Sequence, residues 1–312
     1  MQPIYQDEFS RIRVLDGALA TELERRGHSL AGPLWSAQMI DQAPEAIVAV
    51  HLDYLRAGAD CITTASYQTS PQGYAALGVD HPEQAANRAL QRSVELARQA
   101  ANQYAGESSR PVWIAASLGP YGAVLNNGAE FVGDYDISQQ QLVDFHRQRL
   151  AVIAETEADV VAFETIPSLA EAQAILTAMV DTPNLSAWIS FTCKDEEHLA
   201  HGESIVDVVR LLEPAIAILA LGINCTHPAF IAPLLARIRE ESEEPVIVYP
   251  NSGEMWDRAT RSWSGRGDLA AEAAAYEELA YQWFKAGAQA VGGCCRTQPE
   301  HIRSVQAAAV RQ

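Results

Sequence analysis

The chain alternates short apolar runs with longer stretches of helical pattern. The runs are rich in valine, isoleucine and alanine, and most do not alternate with polar residues, a pattern typical of parallel strands buried on both faces. Eight such runs occur, at residues 14–18, 61–67, 112–118, 160–166, 187–193, 218–225, 246–249 and 290–295. Each run predicts one buried strand.

The intervening segments carry apolar residues at helical spacing. Two clear examples are Ile47, His51, Leu52 and Leu55, and Ala86, Leu90, Val94 and Ala97. Prolines, which suit the first turn of a helix, stand where three helices should begin: Pro82, Pro228 and Pro299. Glycine within Ala-Gly-Ala, at 57–59 and 286–288, is well placed to end a helix just before a strand.

Eight strands alternating with helices predict a closed (β/α)8 barrel, with residues 1–312 as one domain. The main alternative is an open doubly wound sheet, which usually has fewer strands and a glycine-rich first turn. The first turn here, residues 16–21, lacks the G-x-G-x-x-G pattern. The barrel is therefore the expected fold.

The negative net charge of the chain limits the classes of molecule that it can bind. The net charge is −18, and the isoelectric point is about 4.8. A nucleic-acid binder needs a basic face, so this charge argues against nucleic acid and against anionic membrane surfaces. It mildly favours cationic small molecules, although it also serves solubility. The sequence leaves the oligomeric state open.

The chain also lacks the signs of membrane insertion or export. No apolar run approaches the roughly 20 residues of a membrane span, and residues 1–13 lack the apolar centre of a secretion signal. We therefore expect a cytoplasmic protein. In a reducing compartment a cluster of cysteines favours metal binding or catalysis over disulfides.

Residues suited to chemistry gather at the carboxyl ends of the predicted strands, where the active sites of α/β barrels lie. They are Asp16, Tyr67, Gly119-Pro120, Glu164, Asn224-Cys225, Asn251 and Cys294-Cys295. We therefore expect these side chains to face one cavity.

Three of the five cysteines end predicted strands six and eight: Cys225, Cys294 and Cys295. Three thiolates around an open position are typical of catalytic zinc, although buried thiols and a vicinal disulfide are alternatives. Such a site activates a substrate thiol without a general base, because metal-bound thiols are deprotonated. Hydrolytic zinc sites more often use histidine and carboxylate, and no H-E-x-x-H pattern occurs.

The adjacent cysteines can bind one metal only if the eighth strand ends in a break. Adjacent strand residues point to opposite faces, so both Cys294 and Cys295 can reach one metal only where the strand breaks. Gly292-Gly293 precedes the pair and permits unusual backbone angles. Cys61 is expected in the core, and Cys193, at the end of the fifth strand, is left open.

These motifs together resemble the homocysteine S-methyltransferase family over about residues 13–305. The matching segments are Leu15-Asp16-Gly17-Ala18, Thr64-Ala65-Ser66-Tyr67-Gln68, Gly119-Pro120-Tyr121-Gly122, Phe163-Glu164-Thr165, Gly222-Ile223-Asn224-Cys225, Tyr249-Pro250-Asn251-Ser252-Gly253-Glu254 and Gly292-Gly293-Cys294-Cys295-Arg296. Residues 255–268 match only loosely.

The resemblance implies a barrel with one zinc ion, homocysteine as methyl acceptor, and a metal held by Cys225, Cys294 and Cys295. It also implies that Asp16 and Glu164 face the amino group of homocysteine. The closest likeness is to the short bacterial and plant enzymes that use S-methylmethionine or S-adenosylmethionine. Members that need a cobalamin or folate domain are not expected.

Each further candidate has a structural alternative. Asp16 could instead cap a helix, and Glu164 could pair with an internal arginine. Asn224 and Asn251 could hold the substrate or order turns, and Tyr67 could line the pocket or pack in the barrel mouth. Gly17 completes the substrate-binding candidates. Loop 121–136 is expected to cover the site, and loop 255–268 to bear on donor choice.

Methyl transfer from a sulfonium donor, with S-methylmethionine preferred, is the leading hypothesis for function. Betaine is the alternative to a sulfonium donor, because it is also a cationic methyl donor. A zinc-dependent barrel aldolase or hydrolase and a non-catalytic thiolate–zinc protein are the alternatives. The cysteine-only ligand set counts against the first of these, and the many polar residues at strand ends count against the second.

Overall fold

Seven parallel strands form one curved sheet in the computed structural model, which describes residues 5–257, 262–265 and 267–312. The order in this sheet is β1-β2-β3-β4-β5-β6-β9, and β7 and β8 form a separate antiparallel pair. The strands are β1 (Cys61–Thr63), β2 (Trp113–Leu118), β3 (Val160–Ile166), β4 (Ala187–Phe191), β5 (Ile218–Asn224), β6 (Val246–Tyr249), β7 (Met255–Asp257), β8 (Ser262–Ser264) and β9 (Ala288–Val291).

The first apolar run closes this sheet into a ring. Val14 forms a parallel bridge with Val291 of β9, and Leu15 forms one with Cys61 of β1. The backbone N–H of Leu15 donates to the carbonyl of Val291 at 2.9 Å, and that of Asp16 donates to Cys61 at 3.1 Å. The predicted (β/α)8 barrel is confirmed, with its first strand reduced to a two-residue bridge.

Helices surround the ring and follow the expected caps. Pro82 and Pro299 begin helices, while Pro228 begins a short 3-10 turn that leads into the helix at Ile231–Glu241. Gly58 and Gly287 adopt left-handed backbone (φ 116° and 99°) after their helices. The helices are α1 (Gln6–Phe9), α2 (Leu19–Arg25), α3 (Met39–Gln42), α4 (Pro44–Ala57), α5 (Pro71–Ala76), α6 (Pro82–Tyr104), α7 (Tyr121–Val124), α8 (Gln139–Ile153), α9 (Leu169–Met179), α10 (Ile205–Leu212), α11 (Ile231–Glu241), α12 (Leu269–Lys285) and α13 (Pro299–Val310).

Helix α1 packs against the interior of the barrel, a role that its polar sequence did not reveal. Phe9 is 1% exposed, and its ring centroid lies 6.1 Å from that of Trp188, which is fully buried in β4. Both belong to a small apolar cluster built from the inward-facing residues of the strands. The amino end of the barrel is thus filled, which leaves the carboxyl ends of the strands for chemistry.

Where the structure describes the chain, no helix has the length and apolar character needed to span a bilayer.

Replacing Phe9 by alanine should lower the free energy of unfolding by about 3–5 kcal/mol, because the barrel interior cannot collapse around the lost ring. Denaturant unfolding followed by circular dichroism measures this change. Tyr5→Ala is the matched control, since Tyr5 is 72% exposed and its loss should change the free energy by less than about 0.5 kcal/mol. Equal effects from the two variants would show that Phe9 does not fill the barrel.

Candidate active site

Three cysteine sulfurs meet at the carboxyl end of the barrel. The Sγ atoms of Cys225, Cys294 and Cys295 all lie within 4.8 Å of one another, and those of Cys225 and Cys295 are 3.5 Å apart. All three residues are half-buried, and this is the one such group of potential metal ligands in the described part of the chain. Three thiols this close can bind a metal ion together.

The two adjacent cysteines reach one centre because β9 ends at Val291 and the backbone turns. The N–H of Cys294 donates to the carbonyl of Pro250 at 2.7 Å, and Ser252 N–H donates to the carbonyl of Cys295 at 3.1 Å. These bonds fasten the turn that carries the cysteine pair to the loop that follows β6. The expected break in the strand is present.

The two glycines before the pair provide space rather than unusual backbone angles, which corrects the expectation from sequence. Neither has a positive φ, and a Cβ on Gly292 would lie 2.6 Å from that of Leu15. A Cβ on Gly293 would meet the Thr297 hydroxyl at 2.4 Å. The left-handed backbone falls instead on Cys225 (φ 49°) and on Arg296 (φ 70°), next to Cys295.

The thiols differ in how readily they ionise. Hydrogen bonds from Cys225 and Cys294 hold the pKa of the Cys295 thiol well below its ordinary value. The pKa of Cys225 is raised, first by its hydrogen bonds to the other two cysteines and then by burial. The hydrogen bonds within the cluster therefore favour ionisation of Cys295 over ionisation of Cys225.

Two largely buried carboxylates lie at the same end of the barrel as the thiols. Asp16 is 4% exposed and accepts from the N–H of Thr63 at 2.8 Å and from its hydroxyl at 3.1 Å. Glu164 is half-buried at the end of β3 and accepts a hydrogen bond from the Ser117 hydroxyl. Hydroxyl and amide donors thus orient both groups without neutralising them.

Burial makes both carboxylates difficult to ionise. It raises the pKa of Asp16 well above its ordinary value, and the charge of Glu164 adds to that rise. It raises the pKa of Glu164 to about 7, although hydrogen bonds from Ser117 and Tyr249 oppose the change. No arginine, lysine or histidine in the described residues lies within 4.0 Å of either group, so the internal arginine considered for Glu164 is not found there.

Aromatic residues form one wall near the thiols. Tyr67 lies edge-on to Trp35, with ring centroids 6.2 Å apart. Its carbonyl accepts from the N–H of Gly119 at 3.0 Å, and a Cβ on Gly119 would lie 2.7 Å from the Tyr67 ring. Gly119 is therefore required for Tyr67 to occupy this position.

The loop at 121–136 is anchored by a buried polar network that sequence reasoning missed. The carboxylate of Glu171 accepts from Tyr121 N–H at 2.6 Å and lies 3.0 Å from Nε2 of His146. Arg149 donates to Nδ1 of His146 and to the carbonyl of Gly119, both at 2.9 Å. Burial lowers the pKa of His146 to about 4, so the ring is neutral. Because Nδ1 accepts from Arg149, Nε2 carries the proton and donates it in a hydrogen bond to Glu171.

The structure places the remaining candidates as follows. Gly17 packs tightly, because a Cβ there would lie 2.8 Å from the Tyr54 ring. Asn224 hydrogen-bonds Thr165 through its amide, and Asn251 has a buried Oδ1 that accepts no hydrogen bond from the described residues. Cys61 packs in the barrel interior as expected.

Cys193 and segment 255–268 lie in different parts of the fold. Cys193 packs in the layer between strands and helices, where burial raises its pKa to about 12. Segment 255–268 contains the β7–β8 pair, and its residues 258–261 and 266 lie outside the described residues. The role expected of this segment in donor choice stays a prediction.

Thr63 and Ser117 are site residues that sequence reasoning missed, although strand alternation could have found them. Each lies two residues beyond an inward-facing strand residue, Cys61 and Ala115, and so faces the barrel interior. Short hydroxyl side chains at those positions indicate partners for the carboxylates at the neighbouring strand ends.

Comparisons with known proteins agree with this arrangement. A family model described as homocysteine S-methyltransferase matches residues 13–309. The homocysteine S-methyltransferase YbgG of Bacillus subtilis is 45% identical, covering 94% of this chain and 93% of that protein. The homocysteine S-methyltransferase of Escherichia coli is 43% identical, covering 95% and 94%.

A solved structure matches equally well. The metallated form of the homocysteine methyltransferase MmuM from Escherichia coli superposes with a TM-score of 0.83 at 42% identity, covering 95% of this chain and 96% of that one. The family model, the sequence relatives and the shared barrel all agree, and the chain belongs to the homocysteine S-methyltransferase family.

Proposed function

We propose that the protein transfers a methyl group from a sulfonium donor to the thiol of L-homocysteine, with one zinc ion held by Cys225, Cys294 and Cys295. The observation that carries this proposal is the pairing of a three-thiol cluster with two buried carboxylates that lack a cation in the described protein. Homocysteine offers a thiol for the first and an ammonium group for the second.

The thiol cluster fits zinc on its own chemistry. Zinc–sulfur bonds of about 2.3 Å in a tetrahedral site place sulfurs roughly 3.8 Å apart, and the observed sulfurs are within 4.8 Å. When bound, zinc would hold the substrate sulfur as a thiolate at a pH where a free thiol, with a pKa of about 8.5, is mostly protonated. The three protein thiolates leave that sulfur electron-rich.

The carboxylates recognise the other end of homocysteine. A buried anion is costly unless a cation pairs with it, so Asp16 and Glu164 favour an ammonium group between them. The hydrogen bonds from Thr63 and Ser117 fix the direction of each carboxylate. Homocysteine held in this way presents its sulfur to the cysteine cluster.

Methyl transfer then needs a donor whose leaving group is stable. A C–S bond forms between the homocysteine sulfur and the methyl carbon, and the donor's C–S⁺ bond breaks, leaving its electron pair on a neutral thioether sulfur. The aromatic pair of Trp35 and Tyr67 suits a cationic donor, because the faces of aromatic rings attract positive charge. S-Methylmethionine is the preferred donor in this proposal, since it needs no room for an adenosyl group under loop 121–136.

Replacing any one zinc ligand should abolish activity. Cys225→Ser, Cys294→Ser and Cys295→Ser should each form less than about 1% of the wild-type methionine and bind zinc weakly, because a thiolate donor is lost. Methionine formation and metal content are measured on purified protein. Cys193→Ser is the matched control, a buried cysteine outside the cluster that should leave both values unchanged. Full activity in a cluster variant would refute the zinc assignment.

Glu164→Gln should weaken homocysteine binding and stabilise the fold at high pH. Losing a charged hydrogen bond of about 1.5–3 kcal/mol raises the KM for homocysteine by about 10-fold or more. The folded pKa of about 7 lies above the ordinary value of 4.5, so the ionised carboxylate destabilises the folded state in full above pH 7, and this cost disappears only below the ordinary value. The variant should therefore have the higher Tm at pH 8, with the difference shrinking as the pH falls and vanishing below about pH 4.

Two controls accompany the Glu164 variant. Glu155→Gln, at an exposed carboxylate, should change neither KM nor the pH dependence of Tm. A thiol of the same length without the amino group should react equally with wild type and Glu164→Gln. If that thiol reacts as well as homocysteine with wild type, the carboxylates do not select the ammonium.

Steady-state kinetics with a panel of donors tests the choice of methyl source. We expect kcat/KM to be highest with S-methylmethionine, lower with S-adenosylmethionine and lowest with betaine, whose leaving group is an amine. Initial rates of methionine formation at saturating homocysteine supply these values. A higher kcat/KM with either of the other donors would overturn the donor assignment while leaving the homocysteine site intact.

A further inference from the structure

Strand β3 contains an irregularity at the point where it reaches the active site. Its pairing register with β4 shifts between Phe163 and Ile166. Both of these residues pack in the layer between strands and helices, although they are three positions apart rather than two. The extra residue places two consecutive side chains, Glu164 and Thr165, on the side of the site, as bulges next to active sites commonly do.

The irregularity gives Thr165 an energetically unfavourable backbone conformation. Its φ is 61°, in the left-handed region that β-branched residues rarely adopt. It is also buried, at 3% exposure. Such a conformation persists only when the surroundings enforce it, and it occurs most often at functional sites.

The side chain of Asn224, from β5, supplies that enforcement. Its Oδ1 accepts from the backbone N–H of Thr165 at 2.8 Å, and its Nδ2 donates to the Thr165 hydroxyl at 2.9 Å. The N–H that the bulge withdraws from regular strand pairing thus finds a partner. The two bonds together fix both the backbone and the side chain of Thr165.

The same amide also touches the metal-binding cluster. Nδ2 of Asn224 lies 3.9 Å from Sγ of Cys294, within reach of a weak N–H···S hydrogen bond. Asn224 is 1% exposed, so its oxygen and its nitrogen are both engaged inside the protein. One side chain therefore connects the strand end that bears Glu164 to a sulfur of the cluster.

We propose that Asn224 is a positioning residue that clamps the left-handed turn at Thr165 and so sets the distance between the Glu164 carboxylate and the thiol cluster. This inference rests on the proposed roles of Glu164 and the cysteines, and it assigns Asn224 to the protein scaffold rather than to substrate contact. Without the clamp, Thr165 relaxes toward ordinary backbone and Glu164 no longer faces the ammonium of a homocysteine whose sulfur is at the cluster.

Two variants test the two sides of this contact separately. Asn224→Ala removes both bonds to Thr165 and the N–H near Cys294. Thr165→Gly keeps the backbone N–H and favours the left-handed backbone, since glycine adopts positive φ readily, but it loses the hydroxyl and the rigidity. Asn102→Ala, at an exposed position on α6, is the matched control.

The variants are compared as zinc-loaded proteins for KM, kcat and Tm, and as cobalt-loaded proteins for the thiolate-to-cobalt charge-transfer band. We expect Asn224→Ala to raise the KM for homocysteine by about 10–100-fold, with the KM for the donor within about 3-fold. Its charge-transfer band should move to lower energy, because the Cys294 sulfur loses a hydrogen bond. Thr165→Gly should raise the KM for homocysteine while its Tm stays equal to that of wild type or exceeds it.

Opposite outcomes would overturn the clamp. These are an Asn224→Ala variant with wild-type KM values and an unmoved band, or a Thr165→Gly variant that loses Tm with unchanged kinetics. If Asn224→Ala does not fold, the KM and Tm of Thr165→Gly alone decide whether the clamp is supported or rejected. Failure of the proposed function is distinguishable, because wild-type protein would then lack bound zinc or methionine formation.

Discussion

Closure of the ring by residues 14 and 15 is the constraint on which the active site depends. The backbone bonds from Leu15 to β9 and from Asp16 to β1 join the first segment of the barrel to its last strand. Because all strands run parallel, closure brings every carboxyl end to one rim. Asp16 comes within the electrostatic reach of Glu164 only through this join, although the two are far apart in sequence. An open sheet of the same strands would leave Asp16 at one edge and the Cys294–Cys295 pair at the other.

The site concentrates unfavourable features that the rest of the barrel has to support. Two carboxylates have no cation within 4.0 Å among the described residues, three thiol sulfurs lie within 4.8 Å of one another, and residues such as Thr165 and Cys225 have left-handed backbone. Each feature destabilises the folded state on its own. The apolar barrel interior and the layer beneath the helices supply the compensating stability. Ligands that offer an ammonium group and a soft sulfur relieve part of this cost when they bind.

The sequence predicted the barrel, the thiol cluster and the positions of the carboxylates, because each is encoded by local pattern. Apolar runs mark buried strands, and residues at their ends share one rim. The anchoring network of Arg149, His146 and Glu171 was not predictable in this way, since it joins helices whose relative placement follows only from packing. The bulge at Thr165 was missed for a similar reason. The sequence of the seven-residue strand that contains it has no feature that indicates a shift in pairing register. The polar segment that contains Phe9 gave no sign that one ring would fill the barrel.

The order in which the chain is synthesised gives the thiol cluster a further consequence. Cys225 and Cys295 are 70 residues apart, so at ribosomal rates of about 5–20 residues per second the second thiol follows the first by roughly 4–14 s. During that interval the nascent chain carries Cys225 as an unpaired thiol. The edge at Val14 also waits for Val291, its partner in the ring. Assembly of the thiol cluster and closure of the barrel are thus both postponed until residues 291–295 have been synthesised, which makes them near-simultaneous events and leaves Cys225 open to oxidation in the meantime.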